Sequence, residues 1–195
     1  MDLCYVEMMT NSPFDLNTRV KSGPIVAFLK AISGDFQSYM MEICLSNGID
    51  LSNCRDEISL EVELAIYEEI ERTVGSGTLH HLGRKVAEEV PIASFVRTLQ
   101  ELLAVGIAHA YQASHTGERI GHYRLLEYSM DKGFALLEAY NPYPGVFDSG
   151  LIYGLARRYM GPHQFNLDIS IENRYPSREM GNSHSTVYRL TWDIF

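Results

Sequence analysis

The sequence predicts an α+β domain, with an N-terminal helical half packed on a C-terminal antiparallel sheet built from two hairpins separated by a helix. Three observations predict it. Apolar residues recur at helical spacing up to about residue 113, the period drops to near two after Gly121, and strict alternation returns close to the C-terminus. At 195 residues, with no Pro/Gly/Ser-rich stretch to act as a hinge, the chain is expected to form a single domain over 1–195, helical over about 24–113 and sheet-containing over about 121–195.

After a polar segment containing Pro13, the spacing of Ile25, Phe28, Leu29 and Ile32 predicts a short helix that Gly34 interrupts. A second helix is expected from Asp35, with Phe36, Tyr39, Met40 and Ile43 on one face and a C-terminus at Asn47-Gly48, followed by a polar connector from Asp50 to Glu57. Ser59 stands where an N-cap belongs, and Val62, Leu64, Ile66, Ile70 and Val74 form a narrow apolar stripe through an acidic segment that Gly75 ends. From Thr78 to Val90 the placing of Leu79, Leu82, Val86 and Val90 is again helical. Pro91 then suits a first helical turn, opening a long central helix whose wide apolar face carries Ile92, Phe95, Leu99, Leu102, Leu103, Ile107, Ala110 and Tyr111.

Past Gly121, His122 to Met130 and Gly133 to Tyr140 read as strands joined by a turn at Asp131-Lys132-Gly133. The aromatic and proline-rich run from Tyr140 to Asp148 offers either a rigid pocket wall or a stiff connector. It leads into a helix with Asp148 as the expected N-cap, Leu151, Ile152, Leu155 and Tyr159 inward, and Arg157 and Arg158 at the negative end of its dipole. Gly161-Pro162 stop this helix. Phe165, Leu167, Ile169 and Ile171, then Thr186, Tyr188, Leu190 and Trp192, alternate with polar residues as half-buried strands should.

Composition narrows the function. With 16 Lys and Arg against 25 Asp and Glu the chain is acidic, which argues against direct nucleic-acid binding. The longest run without a polar side chain, Leu102 to Ala108, is too short for the roughly 20 residues of a membrane span, and Met1-Asp2-Leu3-Cys4 lacks the basic flank of a signal peptide. Cys4, Cys44 and Cys54 form neither a close metal-ligand pair nor an even disulfide framework, so a cytoplasmic location is expected.

Neither a phosphate-binding glycine loop nor a Gly-x-Ser-x-Gly elbow occurs, and the acidic groups Glu88-Glu89 and Glu68, Glu69 and Glu71 lie on charged helical faces suited to solvent. No enzymatic activity is therefore expected. His80 and His81 diverge by about 100° on a helix, and no two histidines share the i, i+4 spacing of a helical zinc pair. His109, on the apolar central helix, is either an axial haem ligand or a core residue bonded to backbone; His115, in the polar run Ser114 to Glu118, reads as a surface-loop residue.

The run Asn141-Pro142-Tyr143-Pro144, Phe147-Asp148, Gly150-Leu151-Ile152 and Gly154-Leu155-Ala156-Arg157-Arg158 resembles a segment of bacterial sensory domains related to the 4-vinyl-reductase domain. Leu82-Gly83 and Gly121-His122-Tyr123 precede it in a similar order, and the likeness spans Pro24 to Trp192. That superfamily also holds the haem nitric-oxide/oxygen-binding domains and the small TRAPP tethering subunits. The resemblance implies a pocket for a small apolar or amphipathic ligand between the Pro91 helix and the hairpins. The side chains it suggests as lining are Leu103, Ile107, Tyr111, Tyr123, Leu125, Leu136, Tyr140 and Phe147. It further implies a sensory or regulatory role exercised through a protein partner or a homodimer. The alternatives are a haem-based gas sensor using His109, or else His115, and an adaptor whose acidic helix from Glu61 to Arg72 docks a basic partner. The zinc-binding relatives carry cysteines in the last hairpin, where this chain has Ser177, Arg178, Gly181, Ser185 and Thr186, so no metal is expected there. The haem-binding branch has Tyr-x-Ser-x-Arg where this chain reads Tyr140-Asn141-Pro142-Tyr143-Pro144, so no cofactor is the leading expectation.

Overall fold

The computed structural model describes residues 12–23, 25–26, 34–50, 57–177 and 184–195. The expected helix through Phe28, Leu29 and Ile32, the connector at 51–56, Cys4, Cys54 and positions 178–183 lie outside the described residues. Within them the architecture is α+β: helices in the first half pack on a four-stranded antiparallel sheet, and one more helix lies between its two hairpins.

Helix α1, Asp35–Ser46, buries Met40, Ile43 and Cys44 and ends at Asn47, while Tyr39, expected inward, is 40% exposed. Helix α2, Leu60–Thr73, is capped as its sequence suggests, the Ser59 hydroxyl accepting from the Val62 amide at 3.3 Å. Its buried stripe is Leu60, Glu63, Ile66, Tyr67 and Ile70, so Val62 and Leu64 flank the core and an acid and a phenol enter it. Gly75 (φ 104°) separates α2 from α3, Ser76–Glu89.

The central helix begins later than Pro91 suggests. Positions 91–97 are irregular, Phe95 is 56% exposed, and Thr98 caps the helix instead. The Thr98 hydroxyl accepts from the Glu101 amide at 3.1 Å, and the Glu101 carboxylate accepts from the Thr98 amide at 3.0 Å. This reciprocal capping box outweighs the preference of proline for a first turn. Thr98→Ala is expected to lower stability by about 1 kcal/mol in a urea titration, with the slope unchanged. Beyond Leu99–Glu101 the chain makes a π-turn at Leu102–Gly106 and resumes α geometry at Ile107–Ser114. Together these segments form α4, residues 99–114.

Three short strands that the sequence does not announce close the helical half. They are β1 (Arg19–Lys21), β2 (Glu57–Ser59) and β3 (His115–Thr116), paired antiparallel in the order β2-β1-β3. The main sheet comprises β4 (His122–Ser129), β5 (Phe134–Tyr140), β6 (Gln164–Ile171) and β7 (Ser185–Ile194), in the order β4-β5-β7-β6. Gly121 (φ 96°) opens β4 where a β-carbon would run into the carbonyl of Tyr140. A bulge between Leu125 and Glu127 keeps Tyr128 on the same face as Tyr123, opposite Ala135 and Ala139 of β5.

Helix α5, Gly145–Tyr159, starts at Pro144 rather than Asp148, which sits fully buried within its first turn. It packs on α3 through backbone. A β-carbon at Gly150 would overlap the carbonyl oxygen of His80, one at Gly83 would lie 2.8 Å from the Leu151 nitrogen, and one at Gly154 would lie 2.5 Å from the Ala87 methyl. Arg158 completes the pair by donating to the carbonyls of Ala87 and Val90, so it caps the end of the neighbouring helix. No helix among the described residues is long and apolar enough to cross a membrane.

Candidate functional site

Between α2, α3, α4, α5 and the short strands β1 and β3 lies a cavity of about 60 Å³. Its apolar side is furnished by the glycine-spaced pair, Val86 and Val90 from α3 and Leu151 and Leu155 from α5, together with Ile107 of α4 and Val20 of β1. The opposite side is polar. Glu63 and Tyr67 of α2, Tyr111 and Ser114 of α4, His115 of β3 and Tyr143 from the loop before α5 line it, with Lys21 at the exposed margin.

These polar groups form one hydrogen-bonded chain. Tyr67 and Tyr143 donate to the two oxygens of the Glu63 carboxylate at 2.8 and 2.7 Å. The Tyr143 hydroxyl lies 2.8 Å from His115 Nε2, and His115 Nδ1 lies 2.7 Å from the Tyr111 carbonyl and 2.9 Å from the Ser114 hydroxyl. Burial pushes Glu63 up to about 6 against the opposing pull of the Tyr143 and Tyr67 hydroxyls. Burial also pushes His115 down to about 4, the Tyr111 carbonyl acting in the other direction.

A carbonyl only accepts, so His115 presents Nδ1–H to the Tyr111 carbonyl, which also accepts from the Ser114 hydroxyl at 2.8 Å, and Nε2 is the ring atom that faces the Tyr143 hydroxyl.

The loop carrying Tyr143 is held by Asn141 and Asp148. The Asn141 carbonyl accepts from the Tyr143 amide at 3.0 Å and its amide donates to Asp148 at 3.4 Å, while Tyr123 of β4 donates to the same carboxylate at 2.6 Å. In this way Asn141-Pro142-Tyr143-Pro144 and Asp148 set a phenol over the cavity.

Of the side chains suggested by the resemblance, Ile107, Tyr111, Tyr123 and Phe147 line the cavity. Leu103 is buried in the core and Leu125 packs beside it, neither on the cavity wall. Leu136 and Tyr140 alternate with Leu137 and Ala139, and so face away from Tyr123 across the sheet. Tyr140 packs in tilted contact with Phe14 at 5.0 Å and His122 at 5.3 Å between ring centroids. His115 is not a surface-loop residue: it is half-buried, pairs with Val20 and lies on the cavity wall. Glu63 and Tyr67 were not singled out by sequence, although Ile66 and Ile70 place both on their own helical face. Among the described residues no group of His, Cys, Asp and Glu is arranged to hold a metal ion.

The sequence matches no protein-family model and no curated protein. The structure resembles solved H-NOX domains. An H-NOX protein from S. oneidensis in the Fe(II)NO ligation state superposes with a TM-score of 0.62 at 9% identity, covering 89% of this chain and 99% of that one. An oxygen-binding H-NOX domain related to soluble guanylate cyclases gives 0.61 at 15% identity, covering 89% and 94%. A Cs H-NOX mutant gives 0.58 at 16% identity, covering 87% and 93%. The likeness is one of fold, that of the haem-NO/O2-binding domains.

The residues present do not fit a haem. His109 lies on the outer side of α4, edge-on to Phe95 at 6.0 Å, and does not line the cavity. His115 does line it, but both ring nitrogens are engaged. A volume of about 60 Å³ holds about two water molecules at about 30 Å³ each, many times less than a porphyrin needs.

Proposed function

We propose that this chain is a sensory or regulatory domain of H-NOX-like fold that binds a small amphipathic molecule in its central cavity and works without haem. The observation that carries the reading is the cavity itself, with one apolar wall and one wall of linked polar side chains, the arrangement of a small-ligand site. On this reading the occupant alters how α4 and the Tyr143 loop pack, and a protein partner or second copy of the chain responds. No catalytic role is assigned to the polar wall: its groups satisfy one another and present no nucleophile and base in a reactive pairing.

Protein purified from cells is expected to release a small molecule on denaturation, detected by mass spectrometry. Ala110→Leu, which fills the cavity from α4, is expected to release none; equal release from the folded variant, or no release from either, would overturn the reading. Incubation with excess haem is expected to give no stoichiometric Soret band. A band abolished by His109→Ala or His115→Ala would instead establish a haem site.

A further inference from the structure

Glu63 is a buried carboxyl on a cavity wall, hydrogen-bonded to two phenols, and no ion pair among the described residues includes it. A carboxylate offers about four acceptor positions, and two phenols fill two of them. The cavity around it is lined mostly by aromatic rings and aliphatic side chains, with Ser114 and His115 on the polar side and Lys21 at the exposed margin, and no ion pair among the described residues joins Lys21 to Glu63, so a negative charge there is poorly compensated. Resting on the reading that the cavity takes a small molecule, we infer that its ligand is a small weak base, whose nitrogen pairs with Glu63 while its apolar side meets Val86, Ile107 and Leu155.

Charge selects this class. A neutral hydrocarbon of the same volume satisfies the apolar wall and leaves the acid unpaired; an anion is repelled by it. A permanently charged amine carries a large dehydration cost, whereas a base that titrates near neutrality enters uncharged and takes its proton inside. The transfer balances: the Glu63 O–H bond breaks, a ligand N–H bond forms, and the carboxylate stays bonded to Tyr67 and Tyr143.

The groups around Glu63 are consistent with a single acid–base partner. They are Tyr67 on its own helix, Tyr143 before α5, Tyr111 of α4, His115 of β3, Lys21 of β1, Tyr123 of β4 backed by Asp148 of α5, and Cys44 of α1 behind Tyr67. Burial keeps His115 neutral above about 4, so it does not compete as the cation.

The test uses the full chain and two rings of equal size, imidazole and non-basic pyrrole, with binding monitored by NMR at Tyr67, Tyr143 and Ile107. Imidazole is expected to bind about tenfold more tightly than pyrrole near pH 6.3. Its affinity is expected to fall about tenfold by pH 8, because the complex holds one proton shared between an acid at about 6 and a base at about 6.5, while pyrrole is indifferent to pH. Glu63→Gln is expected to bring the two rings within about twofold. If pyrrole moves those resonances as strongly as imidazole, or imidazole shows no pH dependence, the basic-ligand inference falls and the cavity reading stands. If neither ring moves them, both fall. The pH series on the unaltered protein decides the matter should Glu63→Gln fail to fold.

Discussion

Gly150→Ala is expected to destabilise the chain by about 3 kcal/mol, at the upper end of what one added methyl costs in a packed interior. The new β-carbon has nowhere to go. It meets the carbonyl of His80, and the neighbouring atoms of α3 are backbone too, so no rotamer change relieves the overlap. The helices must separate, which loosens the Gly83 and Gly154 contacts and pulls Arg158 from the carbonyls of Ala87 and Val90. Gly77, on the exposed start of α3 with open space around it, is the control: Gly77→Ala should be neutral or stabilise by about 0.5 kcal/mol. Equal urea midpoints for the two variants would show that the α3–α5 approach is not limiting.

Glu63→Gln is expected to change the shape of the stability–pH profile more than its height at any one pH. Glu63 moves from an ordinary 4.5 to about 6 on folding, so the folded chain holds its proton more tightly; that contribution is full below pH 4.5 and lost as pH rises through 6. His115 moves from 6.5 to about 4, and its contribution is full above pH 6.5 and lost as pH falls through 4. The spans correspond to about 2 and about 3 kcal/mol with opposite slopes, so between pH 4.5 and 6 they largely cancel in the natural chain. Folding in that window moves one proton from an imidazole to a carboxyl and neutralises both. Glu63→Gln removes one side of the balance, and stability should then climb with pH from 4.5 to 6 relative to the natural protein. His115→Gln should produce the reverse, a relative decline from about pH 4 to 6.5. Parallel profiles for the natural chain and Glu63→Gln would mean that the carboxyl is not held as the geometry indicates.

Much of the fold is legible in residue spacing because burial imposes it. Ser59, Gly75, Gly121 and the Asp131–Gly133 turn mark real boundaries, and the alternation from Thr186 to Trp192 lies within a strand that runs on to Ile194. The cavity's polar wall is harder to see, since an acid inside an acidic helix looks solvated until the phase of Ile66, Tyr67 and Ile70 places it. His109 illustrates a second limit. Leu99, Leu102, Leu103 and Gly106 define a face which, continued at 3.6 residues per turn, points Ala110 and Ala113 inward with His109 at its edge. The π-turn accommodates an extra residue and rotates the C-terminal part of α4 by about 100°, so Ile107, Tyr111 and Ser114 reach the cavity while His109 is carried to the outer side. Periodicity assumes a regular helix and has no means of registering that step. The short strands β1, β2 and β3 escape for a different reason: two or three residues are too few to establish a period, and their pairing depends on contacts distant in sequence.

The two sides of the cavity differ in compliance. The α3–α5 block is braced by interlocked backbone along several turns, whereas the margin formed by β1 and β3 rests on a ladder only two residues long. Any guest too bulky for the resting volume will find the ladder the softer boundary, so the molecule should breathe at Val20 and His115 while Leu151 and Leu155 stay put. Strain from an arriving molecule is thereby channelled into the linkage between β1, β2 and the start of α2, a direction fixed by unequal stiffness rather than by any particular contact.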